Sequence, residues 1–220
     1  MTGRKQNPVI AVIGGANGIG LETARLIARG GSRVAIGDRD GAAAQRAADG
    51  IGNGAIGFDV DVTDPASLEM FLADAEDALG ALDVLVGSAG VMWVGAFADE
   101  PDHAARSQLE VNLFGVIRTV KAAAPLMAAR GSGHIITIAS AASLLPTPGE
   151  ATYAASKHGV LGYLKAVRAE LRGTGVDISV IMPTVVETAL AVGTSTGAAK
   201  LLQPADVAQA VVRTIDRPRF

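Results

Sequence analysis

Tyr153 and Lys157 stand at i and i+4 in Tyr-Ala-Ala-Ser-Lys, which places both side chains on one helical face, a turn apart. A free tyrosine ionises at about pH 10. A neighbouring ammonium favours the phenolate and is expected to lower that value, as proton transfer near neutral pH requires. In isolation the two residues read equally as a plain surface pair. Ser140 adds weight, because it follows an apolar run just upstream and its hydroxyl can hydrogen-bond a substrate oxygen beside the phenol. The competing reading of Ser140 is a strand-end hydroxyl that caps local backbone.

A second group lies near the N-terminus. Gly14-Gly15-Ala16-Asn17-Gly18-Ile19-Gly20 follows the first apolar run with the spacing G-x-x-x-G-x-G. Glycines between a strand and a helix let backbone approach a pyrophosphate, and the helix N-terminus offers free N–H groups and a positive dipole end. A tight connection explains the glycines too, but Asp38 closes the second apolar run, where a carboxylate can accept hydrogen bonds from an adenosine ribose. A 2′-phosphate there would meet like charge, so Asp38 favours NAD. Arg39, next to it, is the residue that could hold such a phosphate, which keeps NADP open.

These residues must be positioned by the elements around them. Six short runs, Val9–Ile13, Arg33–Ile36, Ala55–Val60, Leu82–Val86, His134–Ala139 and Val176–Met182, are nearly continuous in apolar residues, as strands buried on both faces are. Helical spacing marks Leu21–Ala28, Ala66–Leu79, His103–Ala129, Tyr153–Leu171 and Ala205–Ile215. The alternation predicts an α/β fold: a doubly wound parallel sheet in three α/β/α layers, Rossmann-like and forming one domain. Asp64-Pro65 reads as an N-cap with proline at the first helical position, Gly30-Gly31 and Gly173 with Gly175 as helix ends, and Pro125 as a kink or break. Every unusual residue follows a strand: the glycine turn, Asp38-Arg39, Asp61-Val62, Gly87-Ser88-Ala89-Gly90, Ser140 and Pro183-Thr184. In open α/β sheets ligands bind there.

Composition narrows the function classes. The 220 residues carry Lys+Arg 19 against Asp+Glu 22, a formal charge of −3, and no basic run, which argues against nucleic acid as partner. No uninterrupted apolar stretch approaches the roughly 20 residues of a membrane span. The apolar run after Arg4 and Lys5 is too short for a signal-peptide core, so the default compartment is cytoplasmic. Cysteine is absent, and His103, His134 and His158 share no ligand spacing, so no metal site is expected.

With these motifs the chain resembles the single-domain short-chain dehydrogenases/reductases, from about Pro8 to Ile215. The family's T-G-x-x-x-G-x-G turn is matched from Ile13 to Gly20, with Ile13 in the threonine's place. Its catalytic tetrad falls on Asn112, Ser140, Tyr153 and Lys157. Its adenine-contacting aspartate falls on Asp61, with Val62 beside it. Gly87-Ser88-Ala89-Gly90 stands where the family has N-N-A-G, so both asparagines are absent, and Pro183-Thr184 stands for P-G. Val186 and Thr188 occupy the places that hold the nicotinamide carboxamide. From its own surroundings Asn112 also reads as a satisfied core amide.

The resemblance implies a hydride transfer between a nicotinamide cofactor, NAD preferred and NADP possible, and a secondary alcohol or ketone. It makes Tyr153 the general acid/base, and Lys157 the residue that lowers its pKa and holds the nicotinamide ribose. Ser140 orients the carbonyl oxygen, and Asn112 positions a water linking Lys157 to solvent. An NADP-dependent carbonyl or acyl-carrier ketoreductase and a non-catalytic dinucleotide sensor are the alternatives. Met92 and Trp93, after the fourth strand, read equally as a wall of the substrate pocket and as core packing; if they line it, with Leu144, Leu145, Pro146 and Pro148 facing them, the pocket is apolar. Ala189–Leu202, rich in Ala, Gly and Thr, reads as a mobile lid. The helices His103–Ala129 and Tyr153–Leu171 resemble those that pair subunits in the family, predicting a homodimer or homotetramer. The ending at Arg217–Phe220 is abrupt, as of a chain truncated there.

Overall fold

The computed structural model of the chain describes residues 7–194 and 200–220. Arg4, Lys5 and the central part of the expected lid lie outside the described residues. Six parallel strands form one sheet in the order β3-β2-β1-β4-β5-β6: β1 (Val9–Ile13), β2 (Arg33–Asp38), β3 (Ile56–Asp59), β4 (Val84–Gly87), β5 (Gly133–Ile138) and β6 (Val176–Ile181). All five residues of β1 are buried, because layers of helices cover both faces. On one face α3 (Pro65–Leu79), α5 (Gly115–Arg130) and α6 (Ala151–Glu170) enclose Phe71, Met127, Val160 and Leu164 against Val9, Ala11 and Ile13. On the other, α1 (Gly18–Arg29), α2 (Gly41–Ile51) and α7 (Pro204–Asp216) bury Ala24, Ile27, Ala44 and Val211 against Ile10, Val12 and Ile36. This is the expected three-layer, doubly wound α/β fold. The strand order reverses between β1 and β4, which opens a crevice at their carboxyl ends.

Several local expectations hold. Asp64 caps α3 by accepting from Ala66 N–H, with Pro65 just inside the helix. Gly30 ends α1. Three details differ. Helix α2 is absent from the sequence pattern because its buried stripe consists only of Ala44 and Ala48, small side chains that leave little periodic signal. Pro125 does not break α5; it sits on the exposed side, where water can satisfy the freed carbonyl, while Ala123, Ala124 and Met127 hold the opposite side. Finally, the predicted helix over His103–Ala129 is composite: α4 (Asp102–Gln108) passes into α5 through a π-helical stretch at Leu109–Phe114. This run, Asp102–Arg130, has the length and apolar composition of a membrane span, yet Arg106, Glu110, Arg118 and Lys121 interrupt it and its α5 part packs on the sheet.

Candidate active site

The crevice is built from the glycine turn. After Ile13 the chain turns at Gly14 (φ +74°), and Gly14 and Gly15 donate N–H groups to the Gly37 carbonyl at 2.8 and 3.0 Å. A Cβ on Gly14 would lie 2.6 Å from Ala89 N, and one on Gly20 would lie 2.1 Å from Gly14 O, so a side chain is excluded at both positions. Helix α1 starts at Gly18 behind Asn17, with no side-chain cap and no acidic residue in its first turn. Its N–H groups and positive dipole end therefore face the crevice uncompensated. A bare helix N-terminus behind a cradle that a Cβ would fill suits a phosphate-bearing ligand.

Beyond the turn lies a cavity of about 310 Å³ lined by Gly14, Asn17, Gly18 and Ile19 at one end. Asp38, Arg39, Asp61 and Val62 form another wall, Ser88, Ala89 and Gly90 the floor, and Thr188 a flank. These residues, scattered through the sequence, thus meet in one cleft. Gly20, Pro183 and Val186 do not line it: Gly20 backs the turn, the Pro183 carbonyl accepts from Ala141 N–H at 2.8 Å, and Val186 is buried and bridged to Leu202. Val60, Val91 and Val111, which in sequence are indistinguishable from core residues, line the cleft as well, as do Ala189 and Leu190 from the start of the expected lid. The Asp38 carboxylate accepts from Ala16 N–H at 3.1 Å, tying β2 to the glycine turn. Asp61 accepts both N–H and hydroxyl of Thr63 at 2.8 Å. These bonds, with the charges of Arg39 and Arg118, outweigh partial burial and hold its carboxyl below the ordinary value. Main chain ties the start of the turn to the end of β4, since Ser88 N–H donates to Ile13 O at 2.8 Å.

Ser140, Tyr153 and Lys157 come together beside this cleft. Ser140 leaves the end of β5 and its Oγ accepts from Ala142 N–H at 3.1 Å; its hydroxyl lies close enough to the Tyr153 phenol to favour the phenolate. Tyr153 and Lys157 share the inner face of α6, with Lys157 Nζ 5.5 Å from the phenol ring centroid. Lys157 borders the cleft floor: a Cβ on Gly90 would lie 3.9 Å from its Nζ. The expected lowering of the phenol by the ammonium does not prevail in the free chain. Burial raises the Tyr153 pKa, the neighbouring Ser140 hydroxyl opposes that, and the Glu150 charge adds to it. Burial also brings Lys157 down to about 8, while Nζ donates to Ile138 O at 3.3 Å.

Asn112 sits in the π-helical stretch with 0% exposure. Its Oδ1 accepts from Val91 N–H at 2.8 Å, and its Nδ2 donates to Val91 O at 2.9 Å and Ser156 Oγ at 3.2 Å. The carboxamide is thus the satisfied amide that its surroundings allowed, and it braces the cleft floor against α6. π-Helical turns often lie at functional sites; this one turns Asn112 inward. Of the histidines, His134 is buried at the far end of β5 against Ser179 Oγ, whereas His103 and His158 are exposed.

The arrangement joins a proton donor and acceptor, a hydroxyl that can hold an oxygen, and a buried cation to a phosphate-suited cleft. Comparison with known proteins points the same way. Residues 8–198 match the short chain dehydrogenase family. An uncharacterised oxidoreductase of Staphylococcus saprophyticus is 33% identical over 217 residues, 97% of this chain and 93% of that protein. Among solved structures, a 3-ketoacyl-(acyl-carrier-protein) reductase from Brucella melitensis complexed with NADH superposes with a TM-score of 0.89. It is 26% identical, with 96% of this chain and 91% of that one covered. An actinorhodin polyketide ketoreductase with NADPH gives 0.88 at 32% identity, covering 97% and 92%. This chain belongs to the short-chain dehydrogenase family.

Proposed function

We propose that this oxidoreductase interconverts a secondary alcohol and a ketone, with NAD as its preferred nicotinamide cofactor. The observation that carries the reading is the buried Tyr153 phenol beside Ser140, with Lys157 bordering the cleft under Gly90. The glycine turn and the N-terminus of α1 would hold the pyrophosphate, Asp38 the adenosine ribose, and Asp61 with Val62 the adenine. Lys157 would hold the nicotinamide ribose. When bound, the nicotinamide supplies the hydride acceptor or donor.

The protein's own residues handle the proton. Tyr153 gives its hydroxyl proton to the substrate oxygen in reduction and takes it back in oxidation. The raised pKa keeps the free chain's phenol protonated, the form in which reduction begins. Ser140 donates a hydrogen bond to the same oxygen and polarises the carbonyl. Lys157, at about 8, carries its charge at neutral pH and stabilises the phenolate that remains after transfer. Asn112 keeps Val91 and Ser156 in register around it. Leu144 and Leu145 are exposed after Ser140, in keeping with an apolar substrate.

Arg39 in the cleft wall favours a second reading, an NADP-dependent carbonyl or acyl-carrier ketoreductase. A panel of secondary alcohols and ketones, followed by nicotinamide absorbance with both coenzymes, tests the proposal. Turnover with NAD at a lower KM than with NADP is expected. Turnover with NADP alone would favour the second reading, and tight coenzyme binding without turnover would identify a non-catalytic dinucleotide sensor.

A further inference from the structure

Past Gly87 the chain leaves the sheet; residues 88–91 line the cleft, and the chain runs on to Gly95 without a neighbouring strand. Main-chain groups there need partners, and buried side chains supply them. Asn112 takes both groups of Val91, and Gln108, 1% exposed, accepts from Trp93 N–H at 3.0 Å. Gln108 Nε2 donates to Glu100 Oε1 at 2.5 Å, and Glu100 Oε2 accepts from Thr152 Oγ1 at 2.5 Å. This chain of bonds runs from the segment carrying Trp93 to the residue next to Tyr153. The Trp93 ring folds over Gly95, where a Cβ would lie 2.5 Å from Cη2. Gly95 N–H in turn donates to Gly149 O at 2.9 Å, and a Cβ on Gly193 would lie 3.8 Å from Val94. The segment therefore meets the loops after β5 and β6, the two other walls around Ser140 and Tyr153.

We propose that Gln108 and Glu100, with Thr152, form a strut that fixes Trp93 as a wall of the substrate pocket and so sets which substrates fit. They are positioning residues, acting through Trp93, and the inference rests on the alcohol/ketone reading above. Apolar packing would hold α4 at less cost than a buried amide paired with a half-buried carboxylate, because such groups give little net stability even when satisfied. What they add is a fixed direction for the Trp93 backbone. None of them touches the phosphate cradle, so the coenzyme site is independent of the strut.

Trp93 is the only tryptophan in the chain, so its emission reports the wall directly. The experiment compares wild type, Gln108→Leu, Thr152→Val and the double variant Gln108→Glu/Glu100→Gln. It measures Trp93 emission, NADH affinity, and kcat and KM over the alcohol and ketone panel. Gln108→Leu is expected to shift the emission and raise KM about tenfold for the best substrate, with kcat within about twofold and NADH affinity unchanged. Thr152→Val, which leaves Gln108 in place, should move the same readouts in the same direction. The double variant exchanges amide and carboxylate while allowing every bond of the strut, and should restore emission and KM. Unchanged emission and KM in Gln108→Leu would overturn the proposal; if that variant does not fold, the same result in Thr152→Val overturns it. A loss of NADH affinity parallel to KM, or a double variant no better than the single ones, would also overturn it. A wild type that turns over no substrate refutes the alcohol/ketone reading instead, and the emission shift then decides whether the strut holds Trp93.

Discussion

Under the proposed function, removing the Tyr153 hydroxyl separates binding from chemistry. Tyr153→Phe is expected to lower kcat by about 10²–10⁴-fold with unchanged NAD affinity in a titration; near-normal turnover would reject the assignment. Glu150, 7% exposed and one turn before Tyr153, raises the phenol's pKa by its charge. Glu150→Gln should therefore move the pKa seen in the pH dependence of kcat downward. Lys157 makes a stability prediction. Folding lowers its pKa from 10.5 to about 8, so between those values the unfolded chain holds the extra proton and stability rises with pH. Below about pH 8 the charged lysine stays buried at a cost of at most about 3 kcal/mol. Lys157→Met should raise the melting temperature at pH 7 and flatten the rise toward pH 10. The Tyr–Lys spacing and the strand-end serine were legible because chemistry needs those residue types. The direction of the phenol's pKa was not, because it depends on how deeply α6 buries it.

At the scale of elements, β4 ends at Gly87 beside a cavity of about 20 Å³ lined also by Ile13, Thr119 and Thr137. A Cβ at Gly87 would meet only Ile136 O, at 4.0 Å. Gly87→Ala is expected to stabilise the fold by about 0.5–1 kcal/mol, read from chemical denaturation; destabilisation would show that the strand end needs glycine. The five longer helical patterns were legible from their spacing, whereas α2, with its alanine-only stripe, was not. The π-helical stretch was also hidden. A single extra residue in one turn leaves the apolar period nearly intact, yet it decides that Asn112 faces Val91 and Ser156.

For the whole molecule, exposed apolar side chains at Leu109, Phe114 and Leu126 along α4–α5, with Gly162 on α6 open to solvent, support the proposed homodimer or homotetramer. Light scattering should show a mass of at least two chains of 22.2 kDa; a monomer at every concentration would reject it. The sequence by itself determined the class of fold and the family. Alternation of buried runs with helical segments admits few parallel arrangements, and glycines and a serine at strand ends, with tyrosine and lysine one helical turn apart, mark a candidate site by type. Only the tertiary structure decided which apolar residues wall the cleft and which polar ones brace it. Val91, Val111 and Gln108 carry no mark of position in their chemistry, and their roles arise from what the folded chain sets beside them.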